Sequence, residues 1–171
     1  MLYDDGFIYI GYFHNGHENG KGWKIFPQLD VYEGDFKEGQ EDGYGRLTRA
    51  DGSWYEGVWE RGQPEGIGTE VLSNGDKFTG NYNKGKKHGK GEMKYIDGSK
   101  YEGDYINDKE NGRGAYTWAS SKRYEGEWKD GKINGQGVFW DTDRTHFEGT
   151  FVNGLKHGKG RLTWYSYISL L

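Results

Sequence analysis

Apolar and polar positions alternate along this chain in short bursts that return at a fixed interval. In Tyr124-Glu-Gly-Glu-Trp128 the two rings and the glycine share one face of a strand, and the glutamates share the other. Gly158-Lys-Gly-Arg-Leu-Thr-Trp164 alternates in the same way. Tyr9, Tyr32, Tyr55, Phe78, Tyr101, Tyr124 and Phe147 open seven units of 23 residues without one insertion. With each of these at position zero, glycine stands at plus two in every unit, from Gly11 to Gly149. A second aromatic stands at plus four: Phe13, Phe36, Trp59, Tyr82, Tyr105, Trp128 and Phe151. Paired glycines follow at plus eleven and plus thirteen, from Gly20 and Gly22 to Gly158 and Gly160. Together with plus seven, where Asp108 is the one departure, and plus twenty, these registers hold all 31 glycines.

A strict period of this length marks a repeat architecture. Each unit reads as a β-hairpin with a glycine-bearing loop between its strands. Turns such as Asp51-Gly52 or Asn74-Gly75 lead to the next unit. Setting position zero opposite plus seventeen places plus two opposite plus fifteen and plus four opposite plus thirteen. Each ring then faces a bare glycine or a large neighbour, as Tyr101 faces Trp118. Glycine supplies positive φ in the turns and room for rings inside the strands. Ring burial and cross-strand pairing, about 0.2–1 kcal/mol per pair, stand in for an aliphatic core.

The expected fold is all-β: an elongated, twisted, single-layer antiparallel sheet, a meander of hairpins. It has about fifteen strands and is roughly 70 Å long at ~4.8 Å per strand. Its stability is close to a nearest-neighbour sum. Asp108 tolerates positive φ better than most residues, so its loop survives. Pro27 to Val31, Ser121 and Arg144 interrupt the usual glycine turn and predict turns of other types. The array occupies residues 1–164, with a partial unit over 1–8 and a tail, 165–171, that abandons the pattern. The partial unit reads as the end of a preceding repeat, and the chain as a piece of a longer array.

Composition sharpens this picture. Only 32% of the chain is hydrophobic, 17% is aromatic, and mean hydropathy is −1.07, so there is no ordinary aliphatic core. The abundance of rings argues against disorder. Without cysteine there is no disulfide, thiolate metal site or thiol nucleophile. No apolar run approaches the roughly 20 residues that span a bilayer. The start MLYDDGFIYI lacks the basic and long apolar regions of a signal peptide. The expected location is cytoplasmic, peripheral to membrane or cytoskeleton. Net charge is −4, with residues 1–75 carrying the acidic excess and the remainder net basic. That distribution argues against nucleic acid as a partner.

Catalytic chemistry finds no foothold. Glu33, Glu56, Glu102, Glu125 and Glu148 recur about 10 Å apart, the upper end for an inverting glycosidase. Nothing else marks a pair, and a solvated ladder is the better reading. His88 and His157 share one loop position but stand roughly 29 Å apart, too far for one ion. His14 and His17 are near each other yet supply only two ligands, and surface loop histidines are the better reading for all five, His146 included. No phosphate-loop motif or helix N-terminus is present. No catalytic group, metal or cofactor is expected.

Binding is the remaining class. The run KGKKHGKG presents Lys84, Lys86, Lys87 and Lys90, with Lys77 and Lys94 nearby, as a contact for anionic phospholipid at about 1 kcal/mol per charge. The plus-four rings Phe36, Trp59, Tyr82, Tyr105, Trp128 and Phe151 line a trough that a single-layer sheet leaves uncovered. A helix or extended segment of a protein partner is expected along it, across Trp59, Tyr82, Tyr105 and Trp128. Terminal edge strands offer a route to self-association.

The unit Y-x-G-x-W-x-x-G-x-x-x-G-x-G, followed by apolar–polar alternation and D-G, resembles the MORN (membrane occupation and recognition nexus) repeat over residues 1–164. The resemblance implies a single-layer sheet of hairpins that binds proteins and phospholipid head groups and does not itself catalyse. It also implies an alternative role, as a regulatory repeat segment of a larger enzyme such as a phosphatidylinositol phosphate kinase.

Overall fold

The computed structural model describes residues 6–164, so the beginning of the partial unit and the tail 165–171 lie outside the described residues. There are fourteen strands, and no helix, among the described residues. They form one open antiparallel sheet in sequence order. Contacts divide the chain into two compact units, Met1–Gly89 and Lys90–Leu171. The first holds β1 (Ile8–His14), β2 (His17–Ile25), β3 (Val31–Lys37), β4 (Gln40–Thr48), β5 (Trp54–Glu60), β6 (Gln63–Val71) and β7 (Lys77–Asn83). β8 (Lys86–Lys94) runs through the division. The second holds β9 (Lys100–Ile106), β10 (Lys109–Thr117), β11 (Arg123–Lys129), β12 (Lys132–Trp140), β13 (Thr145–Val152) and β14 (Leu155–Trp164).

Two kinds of turn make the meander. Within each hairpin the two central residues both have positive φ, as at Glu38 (50°) and Gly39 (82°). That is the type I′ turn whose twist matches antiparallel strands. Asp108 holds the same place at φ 70°, as its chemistry predicts. Between hairpins a wider turn is closed by an N–H at plus twenty donating to the carbonyl at plus seventeen, as Gly52 does to Arg49 at 2.9 Å. Leu29, Ser121 and Arg144 take this αL position at φ 69°, 67° and 66°, beside Gly52 at 84° and Gly98 at 88°. The expectation of different turn types is therefore corrected: one geometry is kept, and three non-glycine residues bear it.

The strand register also differs from the expected one, by two residues. Position zero lies opposite plus fifteen, and the glycine at plus two lies opposite the glycine at plus thirteen, as in Tyr32–Leu47 and Gly34–Gly45. A bulge follows, with positive φ at plus eleven (Gly43, 111°), and brings plus four opposite plus nine, as in Phe36–Glu41. Because the shift is even, every side chain keeps its expected face. The cause is the tyrosine at zero, which lies over the glycine pair of its own hairpin. A Cβ on Gly22 would sit 2.6 Å from Tyr9 Oη, and one on Gly57 would sit 2.6 Å from the Gly68 Cα. The phenol then donates to the carbonyl at plus three, as Tyr32 Oη does to Asp35 at 3.1 Å. Rings bedded on a double row of glycine are the packing unit of this sheet.

Candidate functional site

The rings interlock edge to face. In the first unit Tyr9 meets Phe13 at 5.1 Å and Phe36 at 5.0 Å, and Tyr32 meets Phe36 and Trp59, both at 5.1 Å. Tyr55 meets Trp59 at 5.2 Å and Tyr82 at 4.9 Å. In the second unit Tyr101 meets Tyr105 at 5.2 Å and Trp128 at 5.0 Å, and Tyr124 meets Trp128 at 5.6 Å and Phe151 at 5.1 Å. These T-shaped contacts suit the ring quadrupoles. The Trp59 and Trp128 indole N–H groups donate to the Gly45 and Gly114 carbonyls at 3.0 and 3.1 Å.

The trough expected to be open is thus closed by its own rings. Phe36, Trp59 and Tyr82 in the first unit, and Tyr105, Trp128 and Phe151 in the second, are each at most 8% exposed. The tyrosines at position zero are deeper still. Burial, then the carboxylates of Glu41 and Asp35, raises the Tyr32 phenol well above its ordinary range. Burial pushes the Tyr124 phenol up to about 12.

What flanks the rings differs between the units. In the first unit plus fifteen carries Lys24, Leu47 and Glu70. Lys24 lies 3.6 and 3.7 Å from Glu18 and Glu41, and Glu70 lies 3.6 and 2.9 Å from Arg49 and Lys87. In the second unit Tyr116 and Phe139 take plus fifteen, and a half-buried ring stack results. Tyr95 meets Tyr116 at 5.9 Å, Tyr116 meets Trp118 at 4.7 Å, and Trp118 meets Phe139 at 5.6 Å. The Tyr116 hydroxyl hydrogen-bonds Ser99 Oγ at 3.0 Å, and the Lys156 ammonium lies 5.7 Å from the Phe139 ring centroid.

The opposite face differs too. In the first unit it exposes Ile10, Tyr12, Trp23, Tyr44, Val58 and Ile67 beside the ion pairs Lys21–Asp35 at 2.8 Å and Arg46–Glu56 at 3.4 Å. In the second it presents ion pairs: Lys90–Asp104 at 2.7 Å, Lys100 with Glu92 and Glu102 both at 3.2 Å, and Arg123–Glu125 at 2.9 Å.

The basic run does not gather on one face. Lys87 lies on the ring side, 5.1 Å over Phe78 and 2.9 Å from Glu70, whereas Lys90 reaches Asp104 across the polar side. Lys84 occupies a type I′ turn at φ 49°, and Lys86 opens β8 beside it. The recurring glutamates stand on the polar face, where Glu56 accepts from Tyr44 Oη at 2.9 Å and Arg46 at 3.4 Å. Among the described residues no three His, Cys, Asp or Glu side chains converge on one point that could hold a metal.

Sequence reasoning missed both exposed apolar surfaces. Tyr95, Tyr116, Trp118 and Phe139 sit in registers whose character changes from unit to unit, which a search for constant positions passes over. Reading plus fifteen alone, as Lys24, Leu47, Glu70, Met93, Tyr116, Phe139 and Leu162, would have revealed the change.

Hairpins of constant length, bedded ring on glycine in one open sheet, define a β-repeat protein with side chains displayed on both faces. The sequence pattern of the MORN repeat matches residues 9–31, 32–54, 55–77, 78–100, 101–123, 124–146 and 147–168. The chain belongs to the MORN repeat family, a non-catalytic repeat of protein and membrane interaction. No curated protein matches it. Among solved structures it is similar to the wild-type TCP10 domain of Danio rerio CPAP, in complex with a peptide of Danio rerio STIL. That similarity has 11% identity and a TM-score of 0.45, and covers 84% of this chain and 75% of that one.

Proposed function

We propose that this chain is a non-catalytic scaffold that seats an extended segment of a protein partner against the ring face of residues 90–164. The observation that carries this reading is the half-buried ring stack Tyr95–Tyr116–Trp118–Phe139, which no second layer covers. Tyrosine and tryptophan are strong interface anchors because large, stiff rings lose little conformational freedom on binding. The buried rows through Tyr105, Trp128 and Phe151 supply the rigid bed beneath the stack. Phe36, Trp59 and Tyr82 do the same beneath the first unit. A phospholipid contact through Lys84, Lys86, Lys87 and Lys90 has weaker support, since Lys87 and Lys90 are held by carboxylates.

The test is peptide selection. Segments are selected on the full chain from a random display library, and their affinities measured against single substitutions. Trp118→Ala or Phe139→Ala is expected to weaken binding about tenfold or more, and Trp23→Ala to leave it unchanged. Selected segments that ignore both Trp118 and Phe139 would overturn the reading.

A further inference from the structure

We propose that, within residues 6–89, the face opposite the ring rows docks a cationic amphipathic helix of a partner protein. Across β1 to β6 this face displays Ile10, Tyr12, Trp23, Tyr44, Val58 and Ile67, with Tyr12 71%, Tyr44 55% and Ile67 68% exposed. Ile10 and Trp23 are cross-strand partners, as are Tyr44 and Val58. Between Trp23 and Tyr44 lies a groove of about 510 Å3, floored by the backbone of Gly22, Gly34 and Gly45 and walled by Lys21, Glu33, Arg46 and Glu56. A patch of this kind on an unlayered sheet face marks an interaction surface.

The sheet dictates the conformation of the occupant. β2 to β6 are each paired on both sides, so their backbone groups are committed to ladders and none remain for an added strand. The incoming chain meets side chains only and must satisfy its own amides, as a helix does. Six strands at ~4.8 Å spacing span about 24 Å, the length of a helix of about 16 residues.

Charge dictates its polar side. Residues 1–75 carry eight more acidic than basic side chains. Glu33 and Glu56 stand within the apolar rows on either side of Arg46, and Lys21 pairs with Asp35. Asp42, Glu60 and Glu65, at the turn ends of the strands that bear Tyr44, Val58 and Ile67, leave the border acidic. Lysines and arginines beside the apolar stripe of the helix complement that border, steering encounter and fixing orientation.

The experiment uses the full chain and two synthetic 18-residue helices with one leucine pattern, one flanked by Lys and Arg, the other by Glu. Fluorescence anisotropy is expected to show binding of the cationic helix only. Trp23→Ala and Ile67→Ser are each expected to weaken it about tenfold, with Trp118→Ala neutral. Both first-unit substitutions are at exposed positions, and far-UV circular dichroism verifies their folding. No binding, equal binding of both helices, indifference to Trp23 and Ile67, or loss on Trp118→Ala would each overturn the proposal. So would sedimentation showing a dimer that Ile67→Glu separates, because the occupant would then be a second copy. The two docking surfaces share no residue, so either proposal fails without the other.

Discussion

The two halves of this array use one scaffold and different decorations. In residues 6–89 the ring rows are flanked by ion pairs, Glu18–Lys24–Glu41 and Arg49–Glu70–Lys87, and the other face sets exposed apolar side chains beside the ion pairs Lys21–Asp35 and Arg46–Glu56. In residues 90–164 the flank is aromatic and the other face is ion-paired. Both halves keep the glycine pairs, the type I′ turns and, wherever position zero is tyrosine, its bond to the carbonyl at plus three. Fold therefore resides in five glycine registers and two ring registers. Everything else is free to carry surface character.

Breaking what the halves share has the largest expected effect. Gly57→Ala and Gly114→Ala each force a methyl group into backbone or a buried phenol and should cost about 3 kcal/mol, read as a lowered urea midpoint. A much smaller loss at either would show that its half tolerates a looser ring bed. Changing what they do not share comes next. Phe139→Glu removes the contact with Trp118 and should cost about 2–3 kcal/mol. Glu70→Phe strips Arg49 and Lys87 of their carboxylate and should cost about 1–2 kcal/mol. Equal, negligible losses would erase the distinction between the halves.

Alkaline titration probes the common tyrosines. Burial raises the phenols of Tyr9, Tyr32, Tyr55, Tyr101 and Tyr124 in the folded chain. The unfolded chain releases those protons first, so their contribution is intact below pH ~10 and is lost as pH rises toward and beyond the value of about 12 at Tyr124. Circular dichroism against pH should show unfolding in that window. Tyr32→Phe plus Tyr55→Phe should move the onset upward while weakening the sheet at neutral pH by about 1 kcal/mol per lost bond. The smallest effect is at the wider turns. Arg144→Gly and Leu29→Gly relieve αL strain and should raise stability by roughly 0.5–1 kcal/mol, against no gain if the turns were of another type.

Most of the scaffold was legible in the sequence because period-two alternation fixes faces and glycine fixes close approach. The register was not legible to the residue. Tyr101 stands opposite Tyr116 and not Trp118: counting back from the turn without a bulge gives Gly114, and the bulge marked by positive φ at Gly112 adds two, a mid-strand feature that leaves no trace in apolar pattern. Leu29, Ser121 and Arg144 concealed a conserved turn geometry because propensity argues against αL for such residues, and the flanking hydrogen bonds outweigh it. The candidate site was legible only in part. Phe36, Trp59 and Tyr82 were assigned the right face, but the depth to which their neighbours bury them depends on how hairpins lean together, which no single unit encodes.

The glycine pairs have a consequence for how such a chain can change its length. Each ring finds its seat by counting along the strand, so adding one residue inside a strand would send every later side chain of that strand to the wrong side. Excising residues 55–77 would instead bring Trp54 directly before Phe78, with tyrosine replaced by phenylalanine on an identical seat and no downstream residue out of phase. Whole units are the quantum in which this molecule can grow or shrink.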